Sequence, residues 1–225
     1  MKNSIGIKNE SSLHRTLKFQ YVGKEGKTEA QIGEFVADGI SSGGEVIEVQ
    51  TGSFAPLVKK VKKFSKAGKV RIVHPVAVTK ILEVYDEDGV LISKRKSPKK
   101  GSIWNIFDAL VYTPILPFIK NVVIEVVLAD IVEKRSKDGK GARRRKGISI
   151  KDKELSVWHE KVVFSKKTDF LRFVPFKKGE EFTAASLAER SGIKNNTAQK
   201  ALYTLTKMNI VKRIRKNGKA YVYCR

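Results

Sequence analysis

Apolar and polar positions over the first 80 residues predict a helix, a hairpin, a second helix and a strand. One strand-like run ends at Asp38, a turn follows at residues 41–44, and a second run carries Glu48-Val49-Gln50. Behind Pro56, apolar residues recur at helical spacing over positions 57–64. Residues 69–75 are typical of a short apolar strand of the kind that follows a crossover helix.

The middle of the chain reads mainly as strands. Residues 80–97 predict a hairpin around Glu87-Asp88-Gly89, and residues 102–118 start as a helix that proline interrupts. Residues 122–133 and 148–164 predict two further strands. The segment between them, residues 134–146, is expected to be a loop or hairpin tip dense in positive charge.

The C-terminal 58 residues have a different pattern. Thr183 is a candidate cap for a helix over residues 184–191 that ends at Gly192, and residues 196–208 predict a second helix with one apolar face. Two alternating runs then flank Asn217-Gly218, which is the strongest short-range signal for a hairpin. The predicted order is therefore helix, short turn, helix and hairpin.

Composition indicates a polyanionic partner. The 225 residues include 46 Lys and Arg against 23 Asp and Glu, a formal net charge of +23. A basic membrane-surface protein is the rival interpretation, but no amphipathic anchor is visible and the most apolar windows carry charged residues and prolines. Cys224 is the single cysteine, which excludes an intrachain disulfide and, with no signal-peptide pattern, favours a cytoplasmic protein.

Candidate chemistry lies where the two predicted strands meet. Side chains two residues apart on a strand share a face, so Glu48 and Gln50 are expected to point the same way, with Asp38 placed beside them by the hairpin. Carboxylates gathered at a strand end are suited to Mg²⁺, which takes oxygen ligands and bridges to phosphate. His14, His74 and His159 lack the spacing of a zinc site and are predicted to be ordinary structural residues.

The pattern Asp38 followed by Glu48-Val49-Gln50 resembles the PD-(D/E)XK (restriction endonuclease-like) nuclease superfamily, whose site is an acid, a gap and acid-x-Lys. Gln50 departs from the usual Lys, as it does in some restriction-type members. The resemblance implies that Asp38, Glu48 and the Val49 carbonyl hold Mg²⁺ (or Mn²⁺). It further implies that Gln50 orients the attacking water and that Glu10, near the first helix, supports the metal.

Residues 170–225 resemble winged helix-turn-helix DNA-binding domains. The resemblance implies that the second helix of the motif enters the major groove, where its first residues lie nearest the bases: Asn195, Asn196, Thr197, Gln199 and Lys200. On the wing, phosphate contacts are expected from Arg213, Arg215, Lys216 and Lys219. A further basic candidate is the loop with Arg143, Arg144 and Arg145.

The sequence therefore predicts an α/β protein, with a restriction endonuclease-like mixed sheet flanked by helices over residues 1–167 and a small winged-helix domain over residues 168–225. The predicted function is Mg²⁺-dependent endonucleolytic cleavage of double-stranded DNA. The alternative is a catalytically inactive nuclease-fold protein that binds DNA as a regulator or structural component, and RNA is a weaker third option. Recognition sequence, nicking or double-strand cleavage, a homodimeric state and the biological pathway stay open at this stage.

Overall fold

A computed structural model describes residues 10–225, apart from the side chain of Arg144. The protein is a mixed α/β structure with one seven-stranded sheet and a separate three-stranded antiparallel sheet near the C-terminus. The mixed sheet follows the order β1 (Lys27–Ile32), β2 (Phe35–Ile40), β3 (Val46–Val49), β4 (Val70–Tyr85), β6 (Val122–Ser136) and β7 (Ser149–Phe164), and β5 (Leu91–Lys96) pairs with the far half of β4. The expected mixed α/β class is confirmed.

The first part of the chain supplies α1 (Ser12–Val22), β1 (Lys27–Ile32), β2 (Phe35–Ile40), β3 (Val46–Val49) and α2 (Val58–Ala67). Ser11 caps α1, since its side chain accepts the backbone N–H of His14 at 3.3 Å. Strands β1, β2 and β3 pair antiparallel, and β3 then pairs parallel with β4 (Val70–Tyr85). This element order agrees with the predicted one, with β1 added.

Two predictions for this part need correction. Strand β1 was not expected, because it is an edge strand whose only buried residue is Ala30 and its sequence is mostly polar. Asp38 was expected at the end of its strand, but β2 continues to Ile40 before the turn that returns to β3.

The centre of the sheet is formed by two long parallel strands, β4 and β6. The strands after α2 are β4, β5 (Leu91–Lys96), β6 (Val122–Ser136) and β7 (Ser149–Phe164). Strands β4 and β6 run parallel from Val70↔Val122 to Tyr85↔Ser136, and β7 pairs antiparallel with β6. The connection from β5 to β6 carries α3 (Ile106–Leu110). The predicted strands over residues 122–133 and 148–164 are confirmed.

The prediction of one strand over residues 69–75 and a separate one from residue 80 was wrong, because β4 runs from Val70 to Tyr85 and passes through Pro75 without a break. The carbonyl of Val73 accepts the N–H of Gln50 at 2.8 Å, so Val73 turns its polar groups toward β3. Pro75, two residues further, faces the same edge, but β3 has already ended at Val49. A proline is tolerated there since no neighbouring strand needs its missing N–H.

The C-terminal elements are β8 (Glu181–Thr183), α4 (Ala184–Ser191), α5 (Asn195–Lys207), β9 (Lys212–Asn217) and β10 (Ala220–Cys224). The Thr183 side chain accepts the N–H of Ser186 at 3.2 Å, and Gly192 ends α4 in the left-handed conformation. The two predicted helices and the hairpin are confirmed to within one or two residues.

Two apolar clusters cover the two faces of the large sheet. The smaller one joins α1, through Leu13 and Leu17, to β3, β4 and β6. The larger one extends from α2 to the C-terminal helices, and Phe107, Phe164 and Phe173 pack together within it. The predicted boundary between residues 167 and 168 lies inside the helical segment Lys167–Phe173, and buried residues on both sides of it share this cluster. The division into two domains stays a prediction.

Across residues 10–225, no helix combines the length and the apolar character that crossing a membrane requires.

Phe173→Ala should lower the free energy of unfolding by about 3–5 kcal/mol, because it removes a fully buried ring from the shared aromatic cluster. Since that cluster joins both parts, urea unfolding should remain a single transition when followed by far-UV circular dichroism. Phe19→Ala, at a side chain 55% exposed, is the matched control and should change stability by less than about 0.5 kcal/mol. A variant in which the C-terminal segment melts separately would contradict the shared core.

Candidate active site

The candidate site lies where β2 and β3 separate. The two strands pair only at Gly39↔Ile47 and Ile40↔Val46. Beyond this point the carboxylate of Asp38 accepts the Val49 N–H at 2.7 Å, and the carboxylate of Glu48 accepts the Asp38 N–H at 3.3 Å. Side chains thus replace the missing ladder hydrogen bonds, which fixes both carboxylates at the fork.

His14 of α1 closes one side of this fork. Its Nε2 donates to the Val49 carbonyl at 2.9 Å and lies 3.2 Å from Asp38 Oδ2, while Nδ1 lies 2.5 Å from Glu10 Oε1. Burial alone would lower the pKa of His14, but the hydrogen bonds and charges of Asp38 and Glu10 raise it to about 9. The ring is therefore an imidazolium at neutral pH, and His14 and Asp38 form an ion pair.

Lys60 of α2 closes the other side. Its Nζ lies 2.8 and 2.9 Å from the two carboxylate oxygens of Glu48. Glu48 is buried, with only 2% of its surface exposed. Burial, followed by the charge of Asp38, raises the pKa of Glu48 to about 7, although Lys60 acts in the opposite direction. Two like charges in a poorly solvated fork are thus each matched by a cation from a different helix.

Gln50 and Glu10 are placed differently from the expectation for a shared ion. The Gln50 side-chain amide donates to the Ser53 carbonyl at 2.7 Å, so the described contact of this amide lies in the following loop. Burial lowers the pKa of His74, and the N–H of its neutral ring donates to the Gln50 backbone carbonyl at 2.6 Å. Glu10 contacts His14 and Lys18, the latter at 2.8 Å, and so reaches Asp38 only through His14.

Sequence reasoning missed both cations of the site. His14 was assigned an ordinary helical role, and Lys60 was one of several lysines on α2. The contact of His14 with Asp38 spans 24 positions and that of Lys60 with Glu48 spans 12, so neither produces a local pattern. The signal available in the sequence was that each helix flanking the predicted hairpin carries a side chain that can be positively charged, His14 on the first and Lys60 on the second.

The oxygen donors at the fork suit a hard divalent cation in chemical type. They are the two carboxylates and the Val49 carbonyl, the kinds of oxygen that bind Mg²⁺ or Mn²⁺. In the described part of the chain, however, no three His, Cys, Asp or Glu side chains already stand in the arrangement of a metal site. The oxygens that would hold such an ion are contacted by His14, at Asp38 and Val49, and by Lys60, at Glu48.

The helix α5 presents one exposed face, away from the buried Ala198, Leu202 and Leu205. Of its predicted contact residues, Asn195, Asn196 and Gln199 are exposed and Thr197 is half-buried, whereas Lys200 forms an ion pair with Asp108 of α3 at 2.7 Å. Tyr203, 50% exposed, continues this face one turn beyond Gln199 and was not predicted, although the spacing of four residues marks it.

The hairpin of β9 and β10 carries the other predicted contacts. Arg213, Arg215, Lys216 and Lys219 are exposed. The guanidinium of Arg213 stacks 4.3 Å from the ring centre of Tyr221, and Arg215 pairs with Glu181 at 2.5 Å. In the basic loop, Arg143 is exposed and Arg145 donates to the Ile148 carbonyl at 3.1 Å, while the Arg144 side chain lies outside the described residues.

Comparison with known proteins places the chain in a family without an assigned activity. Residues 11–165 match a domain of unknown function, DUF8091, and the chain belongs to this family. An uncharacterized protein of Treponema pallidum (strain Nichols) is 28% identical over 193 residues, which cover 83% of this chain and 74% of that protein. No solved structure matches the chain significantly.

Glu48→Gln should make the protein more stable than the parent at high pH. The pKa of Glu48 in the folded protein, about 7, is above its ordinary 4.5, so the folded state holds a proton that the unfolded chain releases. Stability due to this carboxyl is therefore complete at acid pH and is lost as the pH rises from about 4.5 to 7. Because glutamine does not ionise, the variant should gain up to about 3 kcal/mol relative to the parent between about pH 5 and pH 8.

Urea denaturation at both pH values measures this gain. Glu34→Gln is the control, since that side chain is 66% exposed and should show no pH-dependent difference. Equal differences at the two pH values for Glu48→Gln would show that Glu48 does not ionise within this range.

Proposed function

We propose that this member of the DUF8091 family is a metal-dependent DNA endonuclease of the PD-(D/E)XK type. The observation that carries the proposal is the convergence of Asp38, Glu48 and the Val49 carbonyl at one strand fork, on the element order α1, β1, β2, β3, α2, β4. The resemblance of the Asp38 and Glu48-Val49-Gln50 pattern to that superfamily supports the same activity. Duplex DNA is the proposed substrate.

In this proposal Asp38, Glu48 and the Val49 carbonyl hold Mg²⁺ or Mn²⁺. When bound, such an ion lowers the pKa of a coordinated water and neutralises negative charge on the phosphate. His14 must then move away from Asp38 and Val49, because its Nε2 contacts both Asp38 Oδ2 and the Val49 carbonyl oxygen. A turn of the imidazolium toward Glu10 alone keeps one of its hydrogen bonds and frees the oxygens.

Lys60 takes the role that Gln50 cannot fill. Glutamine carries no charge, so it can orient a water but cannot stabilise the added charge of the phosphorane. The Lys60 ammonium lies within 3 Å of Glu48, which supports a role in which it would face a phosphate bound beside that carboxylate. We propose that Lys60 supplies the positive charge and that Gln50 positions the loop at Ser53.

The C-terminal helices and hairpin are proposed to act as a winged helix-turn-helix that holds the duplex. Residues 168–225 contain 13 Lys and Arg against 4 Asp and Glu, which favours a polyanion. The exposed face of α5, with Asn196, Gln199 and Tyr203, is shaped to enter a major groove, whereas Arg213 and Lys219 on the hairpin suit phosphates. Lys200 must release Asp108 to reach DNA.

A second candidate function is DNA binding by an inactive nuclease-like domain. The observation that favours it is the saturation of both carboxylates, Asp38 by His14 and Glu48 by Lys60, together with an uncharged residue at position 50. In that case the fork would be a structural ion cluster, and the protein would regulate or organise DNA without cutting it.

Asp38→Asn should reduce Mg²⁺-dependent cleavage of plasmid DNA by about 100-fold or more, because it removes the charge of one proposed metal ligand. Duplex binding should persist, since a carboxylate repels phosphate. Conversion of supercoiled plasmid with Mg²⁺ and with Mn²⁺ measures cleavage, with Asp88→Asn, at an exposed position in the turn between β4 and β5, as the matched control. If Asp38→Asn cuts as well as the parent, the assigned site is wrong, and a parent that cuts with neither metal would support the inactive candidate.

Gln199→Ala and Arg213→Gln should weaken duplex binding in different ways. Loss of Gln199 should change the preference among sequences by about 1–3 kcal/mol if it reads a base pair. Loss of Arg213 should weaken all sequences alike and reduce the slope of log affinity against log salt by about 1. Fluorescence anisotropy of the full chain over a salt series distinguishes them, and binding that does not depend on salt would exclude a winged helix that holds DNA through phosphates.

A further inference from the structure

Outside the fork, α2 borders a basic concavity of about 780 Å³, which we call the α2 groove. Its charged lining consists of Lys59, Lys62, Lys63, Lys66, Lys120 and Glu34. All five lysines are exposed, and the apolar rings and chains of Phe35 and Ile119 form part of its wall. Neither the sequence patterns nor the family assigns a role to this surface.

The α2 groove concentrates charge that the fold itself does not use. Five lysines face one glutamate, and that glutamate lies 3.9 Å from Lys63 in an exposed pair, which contributes little. Lys66 in the last turn is favoured by the helix dipole, but Lys59 in the first turn is opposed by it, and α2 has no acidic residue there. Local helix stability therefore does not account for the cluster.

The groove adjoins the candidate site on the same helix. Lys60 contacts Glu48, and Lys63 lies one turn further along α2. At 1.5 Å per residue, Lys59 to Lys66 spans about 10 Å along the axis of α2, comparable with the rise of about three base pairs along the axis of a duplex, at about 3.4 Å each. The row of flexible lysine side chains is therefore long enough to reach more than one phosphate of a strand that leads away from the fork.

We propose that the α2 groove binds the phosphate backbone of duplex DNA beside the fork, as a second contact surface in addition to α5 and its hairpin. This proposal rests on the proposed DNA-directed function and specifies how the substrate lies across the site. Lysines provide point charges without base recognition, so the groove supplies affinity and salt dependence and leaves sequence preference to α5.

The test compares two triple variants of the full chain. One replaces groove residues, Lys59→Gln, Lys62→Gln and Lys66→Gln. The other makes the same change in net charge at exposed lysines elsewhere, Lys24→Gln, Lys166→Gln and Lys167→Gln. Anisotropy of a labelled duplex of about three helical turns, without divalent metal, gives log affinity against log salt for each protein.

The groove variant should lose about 2.7 from the magnitude of this slope, which corresponds to about 0.9 for each phosphate contact, and the control should retain the parent slope. Lys120→Gln, in the segment before β6, is a separate variant that should lose about 0.9 and remains informative if the triple variant does not fold. Equal slopes for the groove and control variants, or a parent that does not bind duplex, would overturn the proposal.

Two parallel measurements identify a different occupant. If the groove variant loses binding to vesicles containing phosphatidylserine while duplex binding is unchanged, the surface serves an acidic membrane and the proposal is wrong. If the groove variant loses only its binding to an RNA hairpin, the groove binds RNA and the proposal is also wrong. Because the assay contains no divalent metal, a shifted slope would establish the groove even if the plasmid assay showed no cleavage.

Discussion

The placement of two carboxylates at the fork between β2 and β3 is the constraint on which the site depends. Asp38 and Glu48 each accept a main-chain N–H that the diverging strands leave without a partner, so the backbone requires them in this position. Their mutual repulsion in a buried site is offset by His14 from α1 and Lys60 from α2. The two helices that flank β3 are consequently held to it by charge as well as by apolar packing.

The site and the C-terminal helices are connected through α3. The N–H of Phe54, just beyond Gln50, donates to the Ala109 carbonyl at 3.1 Å, and Asp108 of the same helix pairs with Lys200 of α5. Phe107 joins this helix to the shared aromatic cluster. The aromatic packing around Phe107 therefore connects the part of the chain that carries α5 to the loop beside the fork, whereas the pair of Asp108 with Lys200 is the contact that the proposed DNA binding would break.

How well the sequence predicts an element depends on how local its causes are. Helices α4 and α5 and the following hairpin were predicted almost to the residue, because Thr183, Gly192 and Asn217-Gly218 act within a few positions. Strand β1 was not predicted, because its own sequence is mostly polar and its extended conformation depends on the antiparallel pairing with β2. Asp38 and Glu48 were found from spacing on two adjacent strands, but His14 and Lys60 join them only through tertiary packing.

In the proposed nuclease site, the lysine of the acid-x-Lys pattern would be supplied from a different position in the chain. Position 50 carries glutamine, whose amide is used to hold the loop at Ser53. A side chain on α2 reaches the carboxylate of Glu48 on β3, as the contact of Lys60 shows. Since electrostatic stabilisation depends on the distance between charges and not on their order in sequence, Lys60 would preserve the charge that the proposed activity needs. A neutral residue at position 50 therefore gives no reason by itself to infer an inactive site.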